Sequence, residues 1–209
     1  MSLPSPLSEP QRAAAVIIRL AEPEEDIKHV DEIHRIVNSA YRSDASWTHE
    51  SHLIKEERIS KEGVKDVLND KVNPLLLALD SETGQPLGTL QLDPAESYPD
   101  LGSYERQDYS STYTETLPKE MQVFLSLLSV DPRQQSRGVG RKLLDTGLRY
   151  AKENMGRKQA AVYVLYQRPE LSDWYKRLGF VDYGEKAPYP DSTKTLQDNI
   201  HFSVLRFAL

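Results

Sequence analysis

Gln122-Val-Phe-Leu-Ser-Leu-Leu-Ser-Val130 runs directly into Asp131-Pro-Arg-Gln-Gln-Ser-Arg-Gly-Val-Gly-Arg-Lys142. The first nine residues are apolar enough to read as a buried strand. The second stretch reads as a loop over Asp131 to Gly140. Behind it Val139, Leu143, Leu144, Leu148 and Ala151 recur at helical spacing, so an amphipathic helix follows, ended by Gly156. A strand, a glycine-bearing loop and a helix start make an anion site. Gly138 and Gly140 let the backbone turn tightly and bring N–H groups close to a ligand. The helix adds the positive end of its dipole. Arg133, Arg137, Arg141 and Lys142 concentrate positive charge here, although the chain carries a net charge of −6. The pattern asks for a phosphate-bearing molecule. It is not Walker A, because the Gly-Lys-Ser/Thr ending is missing. Nor is it a dinucleotide fingerprint, whose third glycine would fall on Leu143. A plain glycine-containing helix start is the alternative.

Outward from this stretch, strands and helices alternate. Ala15–Arg19 reads as a short β-branched strand, and a helix over Glu24–Tyr41 follows, with Pro23 at its first turn. A second helix is expected over Glu50–Glu57 and a third over Lys61–Asn69, N-capped by Ser60. Leu75–Asp80 and Leu87–Leu92 form a hairpin. Ala160–Tyr166 is a further buried strand. Glu170–Leu178 is a short helix stopped by Gly179, and Phe180–Tyr183 and Ile200–Phe207 are closing strands. The order implies an α/β domain with a mixed sheet layered by helices. Residues 1–14 read as a flexible tail and 15–209 as one domain. A polar insertion over 93–121 carries Tyr98, Tyr104, Tyr109 and Tyr113, and is either a loose excursion or a substrate lid.

Composition narrows the classes. The 209 residues hold no cysteine, which excludes disulfides, thiolate zinc sites and a cysteine nucleophile. The acidic balance argues against a nucleic-acid partner, and no apolar run reaches membrane-span length. With no targeting signal read, the expected compartment is the cytoplasm, with the nucleus left open. His49 and His52 stand three apart rather than the four of zinc proteases, and no third ligand accompanies them, so no metal is expected.

Gln135-x-x-Gly138-x-Gly140 resembles the pyrophosphate motif of the GNAT superfamily of acetyl-CoA-dependent N-acetyltransferases. Leu128-Ser-Val130-Asp-Pro132 resembles that family's central strand and its exit. Glu170-Leu-Ser-Asp-Trp174-Tyr175-Lys-Arg-Leu-Gly179-Phe180 resembles its second motif. Ala40-Tyr41-Arg42, Trp47-Thr-His-Glu50 and Gly184-Glu-Lys-Ala-Pro-Tyr-Pro190 are similar to a poorly characterised microbial and fungal subset. The likeness spans Val16 to the end of the chain.

The resemblance implies a strongly twisted sheet in which Gln122–Val130 and Ala160–Tyr166 are parallel neighbours that splay apart around acetyl-CoA, the co-substrate. It implies that Leu128 and Val130 pair with the pantetheine arm. The amides of Gln135, Ser136, Arg137, Gly138, Val139, Gly140 and Arg141 would hold the pyrophosphate. The Leu128 amide would hold the oxyanion, and Tyr175 would protonate the leaving thiolate, a packed aromatic being the alternative. Phe124 occupies the strand position where some relatives carry a glutamate base. Ser126 could hold a water instead. Glu50 is either a partner for the amine or a surface carboxylate, and Tyr41 and Trp47 either wall the acceptor pocket or pack the first helix. Arg168 replaces an expected asparagine and could reach a phosphate or an acidic acceptor instead. The implied reaction moves acetyl to a primary amine of a small molecule in a ternary complex. The alternatives are a non-catalytic CoA-binding sensor or scaffold, transfer to protein amines, and transfer of a longer acyl group. A homodimer is allowed.

Overall fold

The computed structural model describes residues 15–97, 105–106 and 117–209. The tail and the four insertion tyrosines lie outside the described residues. The strands are β1 (Val16–Leu20), β2 (Leu75–Asp80), β3 (Pro86–Pro94), β4 (Glu105–Arg106), β5 (Gln122–Val130), β6 (Gln159–Leu165), β7 (Val181–Pro188) and β8 (His201–Ala208). The helices are α1 (Pro23–Asp26), α2 (Val30–Arg42), α3 (Lys61–Asn69), α4 (Val139–Glu153) and α5 (Pro169–Arg177). Among the described residues the strands form one sheet, in the order β1-β2-β3-β5-β6-β8-β7-β4. Of these described pairings, only β5–β6 runs parallel. No helix among the described residues is long and apolar enough to cross a membrane.

Period-two patterning assigns the layers. Leu75, Leu77 and Leu79 of β2 share a core with Ile33 and Val37 of α2 and Val64 and Leu68 of α3. Leu76 and Ala78, one residue out of phase, join Leu143, Leu144 and Leu148 of α4. Both faces of this part of the sheet are covered, which is why β2 reads as an unbroken apolar run.

β5 and β6 pair only over Gln122–Phe124 and Gln159–Ala161. Beyond that point β6 follows β8 alone through Leu165, and a gap opens. β5 turns away at a bulge, where Leu127 and Leu128 together oppose Leu90 of β3. Leu127 adopts a left-handed φ of 47°. The buried Thr89 hydroxyl donates to the Leu127 carbonyl at 2.6 Å and meets the Ser129 hydroxyl at 2.7 Å, which pins the bulge. At the closed end of the gap, buried Arg206 of β8 bonds Glu185 of β7, Gln122 of β5 and Gln159 of β6, each at 2.8 Å. One guanidinium therefore ties four strands where the two parallel ones are still joined.

Three local readings change. The helix expected over Glu24–Tyr41 is α1, a 3-10 turn over Ile27–His29, and α2. Asp26 is fully buried, accepts two bonds from Arg19 at 2.7 and 2.8 Å, and accepts the Glu22 amide at 2.7 Å. Holding Asp26 inward tightens the chain before α2 lays its apolar face on the sheet. Glu50–Glu57 is not a helix. One turn forms at the Glu50 carbonyl, then Ile54 bridges Thr195 and the Lys55 amide donates to Lys194 at 2.9 Å. Leu53 and Ile54 are both buried, and the pairing with Thr195 and Lys194 draws this stretch out of helical geometry. Finally, the strand expected to stop at Tyr183 continues to Pro188, past a register shift between Asp182 and Glu185.

Candidate active site

The gap between β5 and β6 opens into a cavity of about 850 Å³, within the ~300–1,000 Å³ range of small-molecule sites. Ser126, Leu128 and Val130 are the half-exposed positions of β5, and all three line it. Among the described residues no ladder partner covers this edge of β5 beyond Phe124, so its main-chain groups face the gap.

At one end lies the loop before α4. Ser136 and Gly138 both adopt left-handed φ values, 65° and 76°. Alternating left-handed residues turn successive N–H groups toward one concavity, an arrangement that binds anions. α4 then begins at Val139 with no side-chain cap, so its first amides are left for a ligand. Gly138 meets the expectation of a backbone turn, but Gly140 does not. Gly140 is helical, and a Cβ there would make only ordinary contacts, 3.5 Å to Val130 and 3.9 Å to Trp174. The side chains of the loop are largely engaged with the protein. Arg133 bonds Asp131 at 2.6 Å, Arg141 bonds Asp145 at 2.8 Å and Arg137 bonds Gln134. The uncapped main-chain amides of the loop and of the start of α4 are therefore less engaged with the protein than its side chains.

Two side chains brace the loop. Asp131 is buried and takes Arg35 at 2.5 Å and Arg133 at 2.6 Å. Burial pushes its carboxyl up, but the hydrogen bonds from Arg133 and Arg35 outweigh that and hold it at about 2. A carboxyl depressed in the fold stabilises it above its unfolded value, and loses that stabilisation as pH falls toward 2. Asp131→Asn is thus expected to cost roughly 2 kcal/mol at neutral pH. In urea unfolding the gap between variant and wild type should close as pH drops from about 4 to about 2. Gln135 braces the other side. Its Nε2 donates to Ser46 Oγ at 3.0 Å and to the Val130 carbonyl at 3.3 Å, and its Oε1 accepts the Trp47 amide at 3.1 Å. The cofactor-side loop and the 46–47 turn are one unit.

At the far end are the chemistry-bearing groups. Tyr175 of α5 is buried, edge-on to Trp174 at 4.9 Å and to Phe180 at 5.1 Å. It lines the cavity, and its hydroxyl makes no hydrogen bond among the described residues. Burial pushes the phenol up, with Tyr41 adding to the effect and Arg168 opposing it. Burial therefore favours the neutral phenol. Glu50 is buried with both oxygens taken, one by Arg42 and the other by Arg168 at 3.1 Å. Arg168 is buried too and donates to Thr48 at 2.7 Å. The cluster forms a fixed wall. Tyr41 lines the cavity beneath Arg58, whose guanidinium carbon lies 5.2 Å from its ring centre. Trp47 lines the mouth and is half exposed. Phe124 does not itself line the cavity and stacks at 4.9 Å on Tyr163, which does.

Sequence reasoning passed over Asp93. It is the penultimate residue of β3, buried, opposite Phe124 in register, and lines the cavity with Gln91 and Ser126. Burial pushes its carboxyl up to about 6, and the Ser126 hydroxyl offsets this only in part. The one sequence clue is that the Leu87–Leu92 strand pattern runs straight into it.

Residues 77–182, just over half of the chain, match the family model described as Acetyltransferase (GNAT) domain. A search of curated protein sequences finds no match. Among solved structures, a spermidine N-acetyltransferase variant from Vibrio cholerae superposes with a TM-score of 0.60 at 14% identity, covering 92% of this chain and 93% of that one. A Salmonella typhimurium protein solved with its cofactor acetyl-CoA gives 0.60 at 16% identity, covering 94% and 95%. An N-acetyltransferase from Staphylococcus aureus gives 0.60 at 14% identity, covering 93% and 99%. At these identities the likeness is one of fold.

Proposed function

The chain belongs to the GNAT acetyltransferase family and is an acyltransferase, and from that premise we propose that it transfers the acetyl group of acetyl-CoA to a primary amine of a small molecule. Both substrates occupy the gap together, and the amine attacks the thioester directly. The observation that carries this reading is the continuity of the cavity. It runs from the left-handed loop at Ser136 and Gly138, past the unpaired edge of β5, to the Tyr175 hydroxyl. A diphosphate suits the first feature, an extended amide-bearing arm the second, and a leaving thiolate the third. In support, a relative of the same fold was solved with acetyl-CoA and another is a spermidine N-acetyltransferase.

The steps follow from these positions. The loop amides of Gln135–Arg141 and the start of α4 hold the diphosphate. Leu128 and Val130 align the arm, so that the carbonyl oxygen sits on the Leu128 N–H. The amine lone pair forms the C–N bond, and the developing oxyanion is held by that N–H. The C–S bond then breaks, and the sulfur takes the Tyr175 proton. Tyr41 and Trp47 border the acceptor, while Glu50 acts through Arg42 and Arg168 to keep the wall in place. The test is thiol release from acetyl-CoA across a panel of primary amines, together with the matching gain of an acetyl mass on the amine. Tight acetyl-CoA binding with no amine-dependent thiol release overturns the reading in favour of a binding module.

A further inference from the structure

We propose that Asp93 is the acceptor-ammonium site, binding the incoming amine as its alkylammonium form and taking the proton that frees the lone pair. This rests on the acetyl-transfer reading above and deepens it.

The argument begins with an unpaired charge. Asp93 is 8% exposed and makes no ion pair among the described residues. A buried carboxylate without a partner is costly unless a cation or a proton meets it. Asp93 lines the cavity, so what can meet it arrives through the cavity. Among the described residues the other buried carboxylates are served from within. Asp26 has Arg19, Asp131 has Arg35 and Arg133, Glu50 has Arg42 and Arg168, and Glu185 has Arg206. Asp93 stands apart in facing a ligand space instead.

Its position suits the chemistry. Asp93 pairs with Phe124, so the two side chains share a face of the sheet. Phe124 lies where the strands part and four residues before Leu128, whose amide is the oxyanion donor. The amine therefore passes from Asp93 along β5 toward the thioester, with the Ser126 hydroxyl and Gln91 beside the route. The charged groups nearest in effect are Asp70, after α3, which raises the Asp93 carboxyl, and Arg58, before α3, which lowers it. With burial the largest influence, the carboxyl stands at about 6, nearer to an alkylammonium's value of about 10 than an ordinary aspartate. An anionic acceptor is disfavoured by the same carboxylate.

The protons balance. The ammonium gives one proton to Asp93, directly or through one water, and Asp93 passes it to solvent. The freed nitrogen attacks, and the adduct nitrogen then carries one proton too many. The sulfur leaves with the Tyr175 proton, and the nitrogen's surplus proton restores the phenol. The sum is one amide, one thiol and one proton released.

The test uses Asp93→Asn, which keeps shape and burial. With n-butylamine, wild-type kcat/KM should rise with pH through about 6, because the ionised carboxylate is the active form. The variant should lose that limb and about 10²–10⁴-fold in rate. With hydroxylamine, which is neutral at pH 7 and needs no base, the loss should shrink below about tenfold. Butylammonium binding to the CoA-loaded protein, measured by calorimetry without turnover, should weaken at least about tenfold. Equal losses on both amines, a retained pH limb, or unchanged butylammonium affinity each overturn the proposal. Acetyl-CoA affinity should be the same in both proteins. If the wild type binds no acetyl-CoA, it is the acetyl-transfer reading that fails, and the same butylammonium comparison made on the two unloaded proteins still decides the ammonium site.

Discussion

Tyr175→Phe should lower kcat for acetyl transfer by about 10²–10⁴-fold, the usual worth of a positioned proton donor, with little change elsewhere. The reason lies in what the hydroxyl touches. It has no protein hydrogen-bond partner among the described residues, so its removal leaves no donor or acceptor stranded. The ring keeps its edge contacts with Trp174 and Phe180. Thermal stability should therefore hold or rise slightly, and the KM for acetyl-CoA should stay within about threefold, since the acid acts only as the C–S bond breaks. The phenol is pushed up by burial, so the wild-type rate should show no alkaline fall caused by its ionisation across the working range. Rapid-mixing thiol release on wild type and variant separates chemistry from product release. An unchanged single-turnover rate would make Tyr175 a packing aromatic and return the thiolate's proton to solvent.

How much of this could be read beforehand depended on how local the cause was. β5 was legible to the residue, because apolar content, the Pro132 stop and the loop beyond it are all short-range. α3 was legible through Ser60, whose hydroxyl accepts the Gly63 amide at 3.0 Å. The parting of β5 and β6 was implied by the resemblance that the two motifs carry. Other features depend on partners far along the chain. Glu50 and Arg168 meet across 118 positions, and neither residue announces the other. Leu127 enters the left-handed region because Thr89, on another strand, holds its carbonyl; nothing in a leucine signals that. Asp93 sat at the edge of a stretch read as polar insertion, while in the fold it completes a strand in which every residue is buried. Gly140 looked like a second hinge because glycine spacing does not say whether the helix has already begun. The loop's conformation was visible early because its glycine and the helix start behind it are local signals. The chemistry at the acceptor end was not, since it is made by side chains brought together by the sheet.

Arg206→Met should be the most damaging single change to the fold, and the reason also bears on activity. Arg206 is 6% exposed and Glu185 is 2% exposed, and they share three hydrogen bonds of 2.8–3.1 Å. The same guanidinium satisfies the side-chain carbonyls of Gln122 and Gln159. Methionine fills much of the volume but leaves a carboxylate and two amide oxygens without their donor. Breaking one side of a buried pair costs about 3–5 kcal/mol. At roughly 2–4 °C per kcal/mol for a chain of this size, the melting temperature should fall by about 6–20 °C. Replacing both partners, Arg206→Met with Glu185→Leu, should recover much of the loss, because no charge is then left buried alone. If the single variant melts with the wild type, the cluster is not what closes the sheet. The functional consequence follows from geometry. Gln122 and Gln159 are the first rung of the β5–β6 pairing, which lasts only three residues before the gap. Loosening that rung lets the two strands part farther back, widening the gap in which the acetyl donor must be gripped. The Arg206→Met protein, measured well below its melting point, should therefore also bind acetyl-CoA more weakly. The double variant should restore stability more fully than affinity, since methionine and leucine pack but do not tie Gln122 to Gln159.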